Sequence, residues 1–382
     1  MDQSAKDKVY KNSNVPNLRF PEFEGEWEWH KLGDIANISK GSGISKDQLS
    51  EQGQPCILYG ELYTKYKSEV IQKIISCTDI DNRNLVKSQA NDVIIPSSGE
   101  TAIDIATARY IPFSDILLGG DINIIRLKND NGGFLSYQLN GIRKRDIAKV
   151  AQGVSVIHLY GESLKKLDIT ICSREEQSKI ARFLSLLDER VATQNKIIEQ
   201  YKSLIKGLTH HILNGKTVNI RLKDCVVCHS STLTESEFEG IDGLYPVYGA
   251  TGIIAYSPQY AVDEDSILVI KDGASVGRVQ YITGKYSAIG TLNYLTIKKG
   301  FSLGYIYYLL RCFNFDKYKV GSGIPHIYFK DYGYELIYCP PIENQNKIAR
   351  MLSLVEGKLD LEQVLLETYF LQKQYLLKNM FI

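Results

Sequence analysis

No run of about 18 consecutive apolar residues occurs in the chain, so no membrane-spanning helix is expected. The N-terminal MDQSAKDKVYKNSN is polar and lacks the apolar core of a signal peptide. Cysteines number seven, scattered and odd, which argues against a disulfide framework and for reduced thiols in a cytoplasm. Cys225-Val226-Val227-Cys228-His229 matches a haem-attachment pattern, but that chemistry needs export. Zinc would need a second close pair, and Cys312 and Cys339 stand alone, so no metal is expected. Phosphate loops are missing too. Gly215-Lys216-Thr217 has the tail of one, yet His210 stands where the first glycine belongs. Cys339-Pro340-Pro341-Ile342 lacks the amide and the aromatic ring of an amino-methyltransferase motif. These absences leave the chain without catalytic or cofactor apparatus.

What remains is an ordinary soluble composition, with 44% hydrophobic and 23% charged residues over 382 positions. That length suggests roughly two to three domains. The net charge of +1 neither demands nor excludes nucleic acid, because whole-chain charge hides local fields. Basic residues cluster at Arg143, Lys144, Arg145 and Lys149, at Lys165 and Lys166, and at Lys298 and Lys299.

The most informative feature is a repetition. EQSKIARFLSLLD from Glu176 and NQNKIARMLSLVE from Asn344 are two versions of one segment, 168 positions apart. Gly153, His158 and Tyr160 face Gly321, His326 and Tyr328 at the same offset. So long a period duplicates a whole domain with its helix, unlike the short units of solenoids.

Both copies carry a helical pattern. Ser173 and Glu176 predict a capping box, and Asn214-Gly215 a left-handed stop. Between them the apolar seam runs Ile180, Leu184, Leu187, Val191, Gln194, Ile198, Tyr201, Ile205, Leu208 and Ile212, in alternating steps of four and three. The second copy, opened by Pro340-Pro341, gives Ile348, Leu352, Val355, Leu359, Glu362, Leu366, Tyr369, Lys373, Leu376 and Met380. Gln194 and Glu362 are the polar members at the same step. Helices of about 38 residues would be ~57 Å long. Too narrow to bury their stripes alone, they should pair with each other, antiparallel about a pseudo-two-fold axis. The alternative is pairing with another subunit.

Ahead of each helix lie β-branched and aromatic runs broken by turn residues: 56–63, 91–96 and 122–128, then 245–249, 265–273 and 293–299. Landmarks recur at offsets falling from 190 at Leu32 and Leu222 to 168, so the strand frame is shared while the loops differ in length. The expected class is α+β: two tandem β-rich domains separated by two long helices pairing as an antiparallel coiled coil. Loops that vary on a common scaffold are where specificity resides. The matched GVSVIHLY and GSGIPHIY segments read as turns into a strand or as direct nucleic-acid contacts.

With these motifs in order and duplicated, the chain resembles the specificity subunit of type I restriction–modification systems over nearly its whole length. NLRFPEFEGEWEWHKLGDI (17–35) is similar to the family's entry into a first target-recognition domain, and YPVYGATGI (245–253) to a glycine-bearing recognition strand. PPIENQNKIARMLSLVE (340–356) is similar to its conserved helix start. The first helix start, ICSREEQSKIA, departs by lacking the prolines. The resemblance implies an N-terminal arm (1–24), a first recognition domain (25–172), a central helix (173–214), a second recognition domain (215–340) and a C-terminal helix (341–382). It implies a non-catalytic subunit whose two domains read a split, asymmetric site in double-stranded DNA. Its partners would be modification and restriction subunits, two of each. S-adenosylmethionine, ATP and Mg2+ would reside in those partners. The competing readings are a self-contained DNA methyltransferase and a coiled-coil scaffold with protein- or sugar-binding domains.

Under this resemblance the loops 39–46, 60–67, 97–104, 249–256 and 271–278 should face the duplex. They join glycine to hydroxyl, cationic and tyrosyl groups able to reach bases or phosphates. The expected contacts are Lys40, Lys46, Tyr63, Lys65, Ser98 and Thr101 in the first domain, and Thr251, Lys271, Ser275 and Arg278 in the second.

Overall fold

The computed structural model describes residues 14–81, 84–213 and 216–382. The expected stop at Asn214-Gly215 and residues 1–13 of the expected arm lie outside the described residues. Two long helices stand out, a central one (Arg174–Leu213, 40 residues) and a C-terminal one (Ile342–Asn379, 38 residues). The chain forms two compact units, Met1–Asn195 with Val364–Ile382, and Lys196–Gln363. Each unit thus joins one β-rich domain to half of each long helix.

Within the first unit the start of the central helix and the end of the C-terminal helix share one core. Ile180, Ala181, Leu184 and Leu187 pack there with Leu376, Met380 and Phe381. Start against end is antiparallel pairing. In the second unit His211 and Ile212, near the end of the central helix, line one hollow with Asn344, Lys347 and Ile348 of the C-terminal helix. Ile180, Leu184, Leu187, Ile198, Ile205, Leu352 and Leu376 are buried. Val191, Ile348, Val355, Leu359 and Leu366 are half-buried. The four-three spacing therefore marks the covered stripe of both helices.

The two domains are built on one sheet plan. In the first, strands run in the order Ala36–Lys40, Ile122–Leu127, Asp92–Pro96, Arg109–Ile111; in the second, Val226–Ser230, Leu292–Ile297, Ser266–Ile270, Val279–Ile282. All pairings in both sheets are antiparallel. Asp92–Pro96 and Ser266–Ile270 are buried along their whole length, as expected of inner strands rich in Ile and Val. A smaller mixed sheet accompanies each, containing one parallel pair: Cys56–Ile57 beside Leu117–Leu118, and Val247–Tyr248 beside Ser287–Ala288.

Local departures from the sequence pattern have specific causes. The run 56–63 is not one strand. It ends at Ile57 and turns into a short helix, Glu61–Thr64, because the buried Glu61 carboxylate accepts from the Leu58 N–H at 3.0 Å. Only half of the capping box forms. Ser173 Oγ accepts from the Glu176 N–H, whereas the Glu176 carboxylate turns to the Arg19 guanidinium, 2.8 Å away.

Candidate nucleic-acid interface

The repeated helix segment explains itself as a mount for each domain. Gln177 and Gln345 are both buried. The Gln177 side chain donates to the Cys172 carbonyl and accepts from the Asn131 N–H, at the start of helix Gly132–Asn140. Gln345 donates to the Pro340 carbonyl and accepts from the Ser302 N–H, at the start of helix Leu303–Arg311. One turn later Ala181 and Ala349 meet glycines of those same short helices. A Cβ on Gly133 would lie 3.3 Å from Ala181, and one on Gly304 3.1 Å from Ala349. A larger residue on either side would push helix and domain apart.

A third duplicated contact closes the mount. Tyr137 donates to Asp188 and Tyr308 to Glu356, each at 2.7 Å. Burial and the facing carboxylate raise both phenol pKa values far above the ordinary range. Positive charge then arrives differently in the two copies. Asp188 also accepts from Ser68 (2.7 Å) and from Lys373 (2.5 Å), which also reaches Glu69. Glu356 pairs instead with Arg311 of its own domain. Burial pulls the Lys373 ammonium down while Glu69 and Asp188 pull it up; the carboxylates prevail and its pKa stands above the lysine norm. The matched residues at these positions were legible as identities or near-identities at the constant offset, though their purpose was not.

The central strand of the first domain starts beside this mount and points away from it. Asn91, ahead of Asp92–Pro96, bonds the Asp130 carbonyl and the Gly132 N–H next to Gln177. The far end of the sheet gathers Lys40, paired with Asn123, and Pro96 followed by Ser97 and Ser98. In the second domain Ser230, paired with Asn293, and Ile270 followed by Lys271 hold the corresponding places.

Several expected contact residues collect at this end. Lys40 is exposed there. Lys46 and Lys65 line a single cleft of about 820 Å3, with Tyr59, Gly60, Gly119, Gly120 and Asp121. Lys65 is engaged, donating to Glu61 at 2.7 Å. Tyr63 is half-buried, which raises its phenol pKa, and its hydroxyl sits over Gly99 beside Ser98. Ser98 is buried in a two-residue strand facing His158. Thr101 caps the turn Ala102–Ile105, accepting from the Asp104 N–H at 3.1 Å. In the second domain Thr251 and Arg278 line one small hollow. Ser275 shares the exposed turn with Arg278, whose N–H bonds the Ser275 carbonyl. Lys271 is half-buried, its backbone tied to Thr291 and Ile327.

Each basic run has at least one member tied into the fold. Arg143 stacks over Trp29 at 4.7 Å and donates to the Ile382 carbonyl. Lys165 pairs with Glu162. Lys298 donates to the Lys223 carbonyl at 2.8 Å, as its counterpart Lys128 does to that of Asp34. The haem-like CVVCH segment divides between a buried Cys225 and a strand on which His229 stacks with Tyr294. Among the described residues no group of His, Cys, Asp and Glu is placed to hold a metal ion. No helix of the described residues is long and apolar enough to cross a membrane.

A doubled β-domain, each copy seated on the long helices with loops at the far sheet end, has the build of a two-domain recognition module. The family model described as the type I restriction modification DNA specificity domain matches residues 24–203 and again 217–368. The chain therefore belongs to that family, whose members are the non-catalytic specificity subunits of type I restriction–modification systems. A type I specificity subunit of Mycoplasma genitalium is 25% identical over 272 residues, covering 65% of this chain and 70% of the relative. A type I restriction enzyme specificity subunit of Methanocaldococcus jannaschii is 26% identical over 207 residues, covering 52% of this chain and 48% of that one. The crystal structure of a type I S subunit from M. genitalium shares the fold, with a TM-score of 0.70 at 19% identity over 96% of this chain and 99% of that one. A chain from a type I restriction–modification assembly study aligns with a TM-score of 0.56 at 15% identity, covering 94% and 98%.

Proposed function

We propose that the chain selects a bipartite, asymmetric DNA site for a cytoplasmic type I complex, one recognition domain reading each half. The recognition domains comprise residues 25–172 and 215–340, each carried on the paired helices 173–214 and 341–382. Two modification subunits holding S-adenosylmethionine dock on the helices. Two restriction subunits holding ATP and Mg2+ complete the assembly. The observation that supports this most strongly is the matching strand order of the two main sheets combined with connections of unequal length, 97–108 and 271–278, after the matched central strands. A common frame with different loops suits two different half-sites.

Division of labour follows from the chemistry. Cations such as Lys40, Lys46 and Arg278 contribute sequence-blind affinity through phosphates, which falls with salt. Tyr63, Thr101, Thr251, Lys271 and Ser275 stand in the loops that reach base edges, while the buried Ser98 and the Glu61-paired Lys65 brace them. Half-sites on one face of B-DNA lie about 34–36 Å apart, so a stiff helical spacer turns its length into a base-pair spacing. Mapping methylated positions in cells expressing the chain with its partner subunits tests the reading. A split motif with a fixed gap is expected, and a single contiguous motif would refute it. Replacing residues 216–339 by another member's second domain should change one half-site alone.

A further inference from the structure

At the far end of each sheet stands the matched hairpin whose sequence left open a structural turn or a nucleic-acid contact. In the first domain Gln152 and His158 exchange backbone hydrogen bonds of 2.9 and 2.7 Å; in the second Val320 and His326 exchange bonds of 2.9 and 2.8 Å. Gly153 (φ +135) and Gly321 (φ +96) open the two tips in left-handed conformations. A Cβ would meet the Val156 carbonyl at 2.0 Å in one and the Ile324 carbonyl at 2.6 Å in the other, so each loop closes only on glycine. The hairpin bases are stapled to the ends of the central strands. Leu159 N–H bonds the Ser97 carbonyl and Ile327 N–H the Lys271 carbonyl, both at 2.9 Å. His326 Nδ1 lies 2.7 Å from the Asp272 carboxylate, tying the second hairpin further.

The tips are rigidly rooted and open. Val154 is 97% exposed, Val156 50% and Ile324 62%. Neither Gly153–Ile157 nor Gly321–Pro325 contains an acid. Among the described residues the N–H groups of Val154, Ser155, Ser322 and Gly323 have no backbone partner. Exposed Lys40 stands at the first hairpin's base, since its strand partner Asn123 donates to the Leu159 carbonyl at 2.8 Å. Loops that read different half-sites must differ in path, so a hairpin whose backbone plan, opening glycine and closing histidine recur in both domains, though its tip side chains do not, should meet something the two half-sites share. The sheet end opposite the helical mount excludes the helices' own partners as that something. What the half-sites share at this end is the sugar–phosphate backbone.

We propose that these paired hairpins are sequence-blind duplex contacts. Tip amides and the Ser155 and Ser322 hydroxyls take phosphate oxygens, and Val154 and Ile324 press on sugar edges. The inference rests on the DNA-recognition reading above. Its test uses Val154→Lys, Ile324→Lys, Val154→Glu and Ile324→Glu in the assembled methyltransferase complex. Affinities for cognate and random duplexes are measured from 50 to 200 mM salt. Each lysine should tighten both duplexes alike and steepen the log–log salt slope by about 0.9, an extra loss of about 3.5-fold across that range. Each glutamate should weaken both alike, with the methylated motif unchanged. The hairpins are not contacts if all four variants bind like the parent, if the change is confined to the cognate duplex, or if only association with the modification subunit suffers. A parent complex with no preferred motif would instead sink the DNA-recognition reading itself.

Discussion

Replacing Lys373 by methionine isolates the charge cluster that seats the first domain on its helices. The ammonium is 12% exposed and faces Glu69 and Asp188, themselves 10% and 3% exposed. Methionine keeps the stem and its packing but strands two buried carboxylates side by side. Breaking a buried ion pair from one side costs about 3–5 kcal/mol. Asp188 keeps hydroxyl donors from Ser68 and Tyr137, which places the expected loss near the lower bound, about 3 kcal/mol. For a unit of this size that lowers its melting transition by about 6–12 °C. The triple variant Lys373→Met, Glu69→Gln, Asp188→Asn removes the stranded charge and should recover most of the loss. The pH dependence has a definite sign. Because the folded pKa of Lys373 is raised, its contribution is complete below the ordinary lysine value of about 10.4 and disappears as pH climbs past the raised one. The gap between parent and Lys373→Met should therefore hold from neutrality to about pH 10 and shrink above it. Calorimetry or hydrogen exchange resolved by unit provides the assay. A Lys373→Met transition within ~1 °C of the parent's would show that the cluster contributes nothing.

Other outcomes are open to the same kind of check. Inserting four residues near Gln194, matched by four near Glu362, adds about one turn, or ~6 Å. Methylation mapping should then show a longer gap between unchanged half-sites, and altered half-site bases at an unchanged gap would reject the ruler. Arg278 is exposed and pairs with no carboxylate among the described residues. Its alanine variant should flatten the salt slope by about one unit if the guanidinium meets phosphate, or cost about 1–3 kcal/mol on the cognate half-site alone if it reads a base. Lys271→Ala and Arg278→Ala variants that bind every duplex like the parent at all salts would remove that turn from the interface. Tyr308→Phe should cost about 1 kcal/mol in the second unit, read by its melting transition, since it removes one hydrogen bond to a charged group that Arg311 still neutralises.

Periodicity and repetition by themselves determined the two helices, their seam, five of the six strand regions and the doubling of the domain, while the run 56–63 kept only its first two residues as strand. These are local or one-dimensional properties: a four-three stripe must be covered wherever its partner lies, and a duplicated frame shows as a constant offset. The sequence also shows that Gln177, Ala181 and Asp188 have counterparts in Gln345, Ala349 and Glu356. Only the tertiary structure decided what those pairs do, because Asn131, Gly133 and Tyr137 approach them from a separate stretch of chain at a different offset. It likewise separated Lys40, which stands free at a strand end, from Arg143 and Lys298, which are consumed by a carbonyl each. Charge is written in the sequence, but whether a cation has a partner depends on which distant groups the fold brings within about 3 Å.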